Sequence, residues 1–147
     1  MNPSTVLTVL CLGLAVAAAE NIPIKDCGSK LATITAIDIS PCPQIPCPFK
    51  RGTTGNITVN FTSKAEITNA TSVVHGIIAG VPVPFPLKDK NACHNMKCPI
   101  QIGDKVVYKN GVPVLKSYPT IEVLVKYEIV SAGQDVICFT VPVQITA

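Results

Sequence analysis

The chain has 147 residues, of which 48% are apolar and 14% charged, with a net charge of +3. These values exclude disordered, collagen-like and coiled-coil proteins. Residues 20–147 contain 15 Val and 16 Ile but only 4 Leu and no Trp, and because β-branched residues favour strands, the composition argues against a helix bundle.

Residues 1–19 have the features of a signal peptide. The apolar run at 6–16 has 11 residues, too few to span a bilayer. It ends in three alanines that offer a cleavage site before Glu20, although the first residues include no Lys or Arg. The alternatives are a buried strand or a membrane anchor. We predict a signal peptide at 1–19 and one exported domain at 20–147.

Six cysteines remain after this segment, and an even number in an exported chain predicts disulfides. Their spacing pairs Cys42 with Cys47, Cys93 with Cys98, and Cys27 with Cys138. The competing interpretation is a zinc site formed by the two Cys-x4-Cys pairs with His94 nearby. Oxidising export and the prolines inside the first loop favour the disulfides.

Short strand patterns follow one another along the rest of the chain. Candidate strands lie at 30–39, 56–62, 73–79, 105–109, 112–117, 121–129 and 137–145, separated by Gly, Pro, Asn and Asp. No helical period appears. The pattern predicts an all-β, immunoglobulin-like sandwich of about seven antiparallel strands in two sheets.

Two proline-containing segments depart from the strand pattern. Alternating prolines at 81–86 remove every second amide donor, so this segment cannot be a central strand. Spacing favours a rigid connection there, and the alternative is an extended edge. Pro142 places the last strand at an edge or leaves that position without a partner.

Three sequons support export, and they begin at Asn56, Asn60 and Asn69. In the first two, polar residues alternate with apolar ones, so their asparagines share one face of a strand. We expect at least one of the three to be glycosylated. The alternative is an unmodified polar edge.

Motifs for catalysis and nucleic-acid binding are missing from the sequence. It has two histidines; His75 lies in an apolar strand pattern and His94 in a short cysteine loop. No hydrolase, zinc-protease or phosphate-loop motif occurs, and the lysines are too scattered for nucleic acid. We therefore predict a binding module that is not an enzyme and that has no metal or cofactor.

Several motifs resemble the Niemann–Pick type C2 sterol-transfer proteins of the ML lipid-recognition family. Besides the six cysteines, they are Val73-Val-His-Gly76, Val81-Pro-Val-Pro-Phe-Pro86, Cys98-Pro-Ile-Gln101, Tyr118-Pro119 and Val141-Pro-Val-Gln-Ile145. The resemblance covers the whole exported domain. It implies a sandwich whose two sheets separate to admit an apolar ligand, and the same disulfide pairing.

The resemblance also implies a site and a function. The family's pocket residues correspond to Phe85, Val114 and Tyr118, and Tyr127 stands where vertebrate members have a Trp. The expected protein is a monomeric carrier, secreted or lysosomal, that binds a sterol or another small lipid. It would hand the lipid over through transient contact with a membrane or membrane receptor.

A second function remains open at this point. A basic rim suggests a carrier that binds microbial lipid, fatty acid or another small lipophile and presents it to a receptor in innate immunity or chemosensation. The lysines that suggest it are Lys88, Lys90, Lys97 and Lys116.

Overall fold

A computed structural model describes residues 24–147, so the predicted signal peptide lies outside the described residues. The described chain is all-β, as predicted, with one short 3-10 helix at Ala92–His94. The strands are β1 (Lys25–Asp26), β2 (Ala32–Ser40), β3 (Cys47–Lys50), β4 (Thr54–Ser63), β5 (Thr71–Ile78), β6 (Val81–Phe85), β7 (Lys105–Pro113), β8 (Glu122–Ser131) and β9 (Gln134–Thr146). None of the described helices is long and apolar enough to cross a bilayer.

The strands form two sheets that pack face to face. One sheet has the order β1-β9-β8-β5-β6, with β3 also paired to β9, and the other has the order β2-β4-β7. The seven strands of five residues or more match the predicted number, and β1 and β3 are short additions. The pairing of β3 with β9 is parallel, whereas the sequence pattern predicted antiparallel strands throughout.

The proline-rich segment at Val81–Phe85 is an edge strand rather than the connection that its spacing favoured. It pairs with β5 on one side, where Pro82 lies opposite Ile77 and Pro84 opposite His75. Successive amides of a strand point to opposite sides. Prolines at every second position therefore remove donors from one side only, and an edge strand needs no donors on its free side.

The predicted break between residues 109 and 112 is also absent, since β7 runs continuously from Lys105 to Pro113. Asn110 stays in the strand because its side-chain amide donates hydrogen bonds inside the sandwich, to Tyr108 and Tyr127. Gly111 lets β4 approach closely, since a Cβ there would lie 2.8 Å from the methyl group of Thr54.

Strand β9 lies inside its sheet rather than at an edge. It pairs with β8 along most of its length, and Pro142 lies opposite Leu124. On its other side, β1 pairs with residues 139–140 and β3 with residues 143–146. Pro142 falls in the gap between these two short strands, which fits the expectation of a position without a partner.

Three disulfides join the pairs that the spacing predicts, so the zinc interpretation of the cysteines is wrong. The bonds are Cys27–Cys138, Cys42–Cys47 and Cys93–Cys98. The first ties the residue that follows β1 to β9 across a separation of 111 residues. Its loop therefore encloses most of the sandwich.

Candidate functional site

An apolar slot lies between the two sheets and contains all three predicted site residues. Phe85 comes from β6, while Val114 and Tyr118 lie in the segment that follows β7. The remaining lining residues are Ile39, Phe49, Ile57, Val112, Pro113, Val123, Val125, Val141, Val143 and Ile145. They come from both sheets, and no charged side chain is among them.

The sequence pattern placed these aliphatic residues in strands but did not separate slot walls from ordinary core. Val123 and Val125 of β8, like Val141 and Val143 of β9, are inward-facing and buried. Alternation shows that such residues face inward. It does not show whether the opposite sheet contacts them, because the distance between the two sheets depends on how the sheets pack.

Two aromatic rings close the mouth of the slot. The rings of Phe85 and Tyr118 are stacked with centroids 4.9 Å apart. Gly76 of β5 makes room for the Phe85 ring, because a Cβ there would lie 2.9 Å from it. The Tyr118 hydroxyl is buried without a hydrogen-bond partner among the described residues. Burial raises the pKa of Tyr118, so this hydroxyl stays protonated.

Arg51, which the sequence reasoning missed, holds the segment that carries Tyr118. Its Nη1 donates to the carbonyl oxygens of Lys116 at 3.1 Å and Tyr118 at 3.2 Å. The adjacent Gly52 amide donates to the Val114 carbonyl at 2.6 Å. A charged donor makes such bonds stronger than neutral ones. Arg51 is therefore a positioning residue for the mouth, and its separation of 67 residues from Tyr118 left no local signal.

Polar groups lie beyond the deep end of the slot. The hydroxyls of Tyr108 and Tyr127 are 2.5 Å apart, and Ser72 Oγ is 2.6 Å from the Tyr108 hydroxyl. Asn110 Nδ2 donates to both tyrosine hydroxyls, at 2.9 and 3.1 Å. Burial raises the pKa of Tyr127 well above its usual range. Tyr127, expected in place of a Trp, lies in this cluster and not in the slot lining.

The slot encloses about 20 Å³, which is room for about one water molecule. The lipid that the sequence motifs lead us to expect needs far more space, so its binding would require the two sheets to separate at the mouth. Strand β6 is suited to move because it is paired on one side only. Apolar side chains are also exposed at this edge and beside Val114, with Val81 59% and Leu115 42% exposed.

The predicted glycosylation sites lie away from the slot. Asn56 and Asn60 face outward from β4, the middle strand of the three-stranded sheet. Asn56 is exposed opposite Gly111, whereas Asn60 is half-buried between Ala36 and Val107. Asn69 is exposed before β5. The lysines of the predicted basic rim are all exposed as well: Lys88, Lys90, Lys97 and Lys116.

Two carboxyl groups meet on the outer face of the other sheet. Oxygens of Glu128 and Asp135 lie within 4.8 Å of each other, and His75 Nδ1 lies 4.0 Å from Glu128. Partial burial, followed by the hydrogen bond and charge of Glu128, raises the pKa of Asp135 from 3.8 to about 6. The charges of Lys126 and Lys30 oppose this shift.

This pair predicts higher stability in acid. Because the folded-state pKa of Asp135 is raised, the stabilisation that Asp135 contributes to the folded state is complete below about pH 4. It is lost as the pH rises through about 6. Urea unfolding should show this contribution decreasing between pH 4 and pH 7. Asp135→Asn should flatten that part of the profile, whereas Asp38→Asn, on an exposed position of β2, should not. An unchanged profile in Asp135→Asn would contradict the assignment.

Comparison with known proteins identifies the family. The family model of the ML domain matches residues 21–145. The chain belongs to the ML-domain family. Among its relatives is the NPC intracellular cholesterol transporter 2 of Bos taurus, which is 38% identical over 146 residues, covering 96% of this chain and 98% of the relative. The ecdysteroid-regulated 16 kDa protein of Manduca sexta is 39% identical over 124 residues, covering 82% and 86%.

A solved ML-domain structure has the same architecture. The crystal structure of a Niemann–Pick type C2 protein from the Japanese carpenter ant superimposes with a TM-score of 0.79 at 26% identity. The match covers 85% of this chain and 100% of the ant protein. The resemblance inferred from the sequence motifs is therefore confirmed, as is the sandwich fold.

Proposed function

We propose that this ML-domain protein binds a sterol in the slot and carries it between membranes without making or breaking a bond. The observation that carries the proposal is the uncharged slot between the sheets, closed by Phe85 and Tyr118. The name of the bovine relative, a cholesterol transporter, supports a sterol over other small lipids. The slot lining holds no acid, base or nucleophile suited to catalysis.

Burial of apolar surface supplies the affinity in this proposal. A ligand that buries about 400 Å² at about 25 cal/mol per Å² gains about 10 kcal/mol. Separating the sheets and ordering the lipid subtract from that gain. A molecule with one hydroxyl needs few polar contacts, so aliphatic walls such as Val125 and Val141 are sufficient.

The position of the exposed apolar residues supports transient contact with a membrane. Val81 and Val83 on the β6 edge and Leu115 after Val114 present apolar side chains beside the mouth. Exposed Lys116 is the next residue after Leu115, and a cation there favours an anionic lipid surface. The lipid would then leave or enter without crossing water.

Export is part of the same proposal. Residues 1–19 would be removed as a signal peptide, leaving a secreted or lysosomal, monomeric domain at 20–147. Three disulfides fit an oxidising compartment. We expect a glycan on Asn56, which is exposed opposite a glycine, more readily than on half-buried Asn60. Glycosidase treatment of protein expressed in insect cells, followed by mass spectrometry, would show this, and an unmodified Asn56 would contradict it.

Titration with a fluorescent sterol tests the binding step. Saturable binding is expected for the unmodified chain, with about tenfold weaker binding in Phe85→Ala and in Tyr118→Ala because each removes an apolar wall at the mouth. Ile102→Ala, at a site 68% exposed and outside the slot lining, is the matched control.

The same titration separates the two candidate ligand classes. No saturable sterol binding by the folded protein would refute sterol carriage. Binding of lipid A or fatty acid without sterol binding would instead favour the immune or chemosensory carrier.

A further inference from the structure

The polar cluster at the deep end of the slot has one hydroxyl proton more than its hydrogen bonds among the described residues use. Tyr108 and Tyr127 are fully buried and Ser72 is 2% exposed. Two hydroxyl–hydroxyl contacts link them in the order Ser72, Tyr108, Tyr127. Asn110 donates one amide proton to each tyrosine oxygen.

The direction of these hydrogen bonds decides where the extra proton lies. Three hydroxyls carry three protons, and the two contacts use two of them. If Ser72 donates to Tyr108 and Tyr108 to Tyr127, the proton of Tyr127 is left over. If the direction is reversed, the proton of Ser72 is left over. Either arrangement buries a donor without an acceptor among the described residues, which costs folding free energy.

Tyr127 is the end of this chain of hydroxyls that lies next to the slot. On β8, Val125 lines the slot and Tyr127 is the next inward-facing residue. On β7, Val112 lines the slot and Asn110 is the next inward-facing residue. A ligand that separates the sheets and extends by one residue row past Val125 therefore reaches the Tyr127 hydroxyl. Ser72, on β5, is on the far side of Tyr108.

We infer that Tyr127 is a specificity-determining residue that donates a hydrogen bond to a neutral oxygen at the leading end of the bound lipid. This inference rests on the proposed lipid carriage and adds the ligand class: a lipid with a hydroxyl or ketone oxygen at the end that enters first. The ligand oxygen selects the direction from Ser72 through Tyr108 to Tyr127. It thereby gives the extra proton an acceptor.

The surroundings favour a neutral oxygen over a carboxylate. No Lys, Arg or His is among the residues that line the slot or form the cluster. An ionised group placed there would lose its hydration without a countercharge. Burial also keeps Tyr127 protonated by raising its pKa. It therefore acts as a donor across the physiological range.

Competition binding with a sterol and a steroid hydrocarbon tests this inference, using dehydroergosterol as the fluorescent ligand and cyclodextrin to deliver the competitors. 25-Hydroxycholesterol has a hydroxyl at both ends, whereas 5α-cholestane has none, so the comparison does not depend on which end enters first. One well-formed hydrogen bond corresponds to about tenfold in affinity. In Tyr127→Phe, the dissociation constant of 5α-cholestane divided by that of 25-hydroxycholesterol should fall about tenfold.

Ser72→Ala is the matched control, because it also removes one buried hydroxyl from the cluster. Tyr108 and Tyr127 then keep two protons for one mutual contact, so the Tyr127 donor and the ratio of dissociation constants should be retained. A ratio that is unchanged in folded Tyr127→Phe, or lowered equally in Ser72→Ala, would overturn the inference. Equal affinity of the unmodified protein for 25-hydroxycholesterol and 5α-cholestane would overturn the inference even if Tyr127→Phe did not fold.

The same experiment distinguishes this inference from the proposed function. Failure of the unmodified protein to bind dehydroergosterol or either competitor would refute sterol carriage and, with it, the role of Tyr127. Saturable binding of both competitors without a hydroxyl-dependent ratio would leave carriage intact and refute only the role of Tyr127.

Discussion

Replacing both Cys27 and Cys138 by Ala is expected to lower the free energy of unfolding by about 5 kcal/mol. The disulfide joins residues separated by 111 positions, and in the chain-entropy model the stabilisation increases with the logarithm of loop length. Among the described strands, β1 has only two residues and pairs with β9 alone. Urea unfolding monitored by circular dichroism measures the change.

The bond between Cys93 and Cys98 provides the control for loop length. Its residues are separated by only 5 positions, and the same model gives about 2 kcal/mol for its removal. Equal losses of stability in the two double variants would contradict an entropic origin. They would indicate instead that local contacts of each bond determine its contribution.

Val125→Phe is expected to weaken sterol binding by about 100-fold, which corresponds to about 2.8 kcal/mol. Val125 is buried in the slot wall on β8, and a larger ring there occupies the space between the sheets that the ligand would take. Overpacking of this kind costs about 1–3 kcal/mol of stability, so the protein should remain folded. Fluorescent-sterol titration, together with thermal unfolding, measures both effects.

The neighbouring residue supplies a control on the same strand. Leu124 faces outward and is 38% exposed, so Leu124→Phe makes the same ring addition on the opposite face of the sheet. Its sterol affinity should match that of the unmodified protein. Unimpaired binding in Val125→Phe would place the ligand elsewhere, and impaired binding in Leu124→Phe would implicate the outer face.

The sequence predicted the local features of this fold well. Alternation located β8 and β9, because a half-buried strand must place every second side chain in the core. Composition excluded helices, and short loop spacing paired Cys42 with Cys47 and Cys93 with Cys98. These features depend on residues close together in the chain. Their physical causes are therefore visible in the order of residues.

The candidate site was only partly predictable. Phe85, Val114 and Tyr118 came from the resemblance to a family, and the slot contains all three. Arg51 was missed because its two acceptors are carbonyl oxygens of distant residues. Backbone carbonyls have no sequence signature, so only the packing of two loops reveals that interaction.

The proline-rich strand shows why the topology needed the tertiary structure. Spacing favoured a connection at Val81–Phe85, since prolines disrupt hydrogen-bonded ladders. The structure pairs this segment on one side only, where the remaining donors are sufficient. Whether a strand has one neighbour or two is decided by the arrangement of the whole sheet. No local pattern contains that information.

The sequence by itself determined the all-β class, the disulfide pairs and the family, because strand alternation, cysteine spacing and short motifs are local properties. Only the tertiary structure decided that the valines of β8 and β9 line a slot, that Arg51 holds its mouth, and that Tyr127 joins a buried polar cluster beyond its deep end. Each of these depends on distances between strands far apart in the chain. Those distances are set by the packing of one sheet against the other.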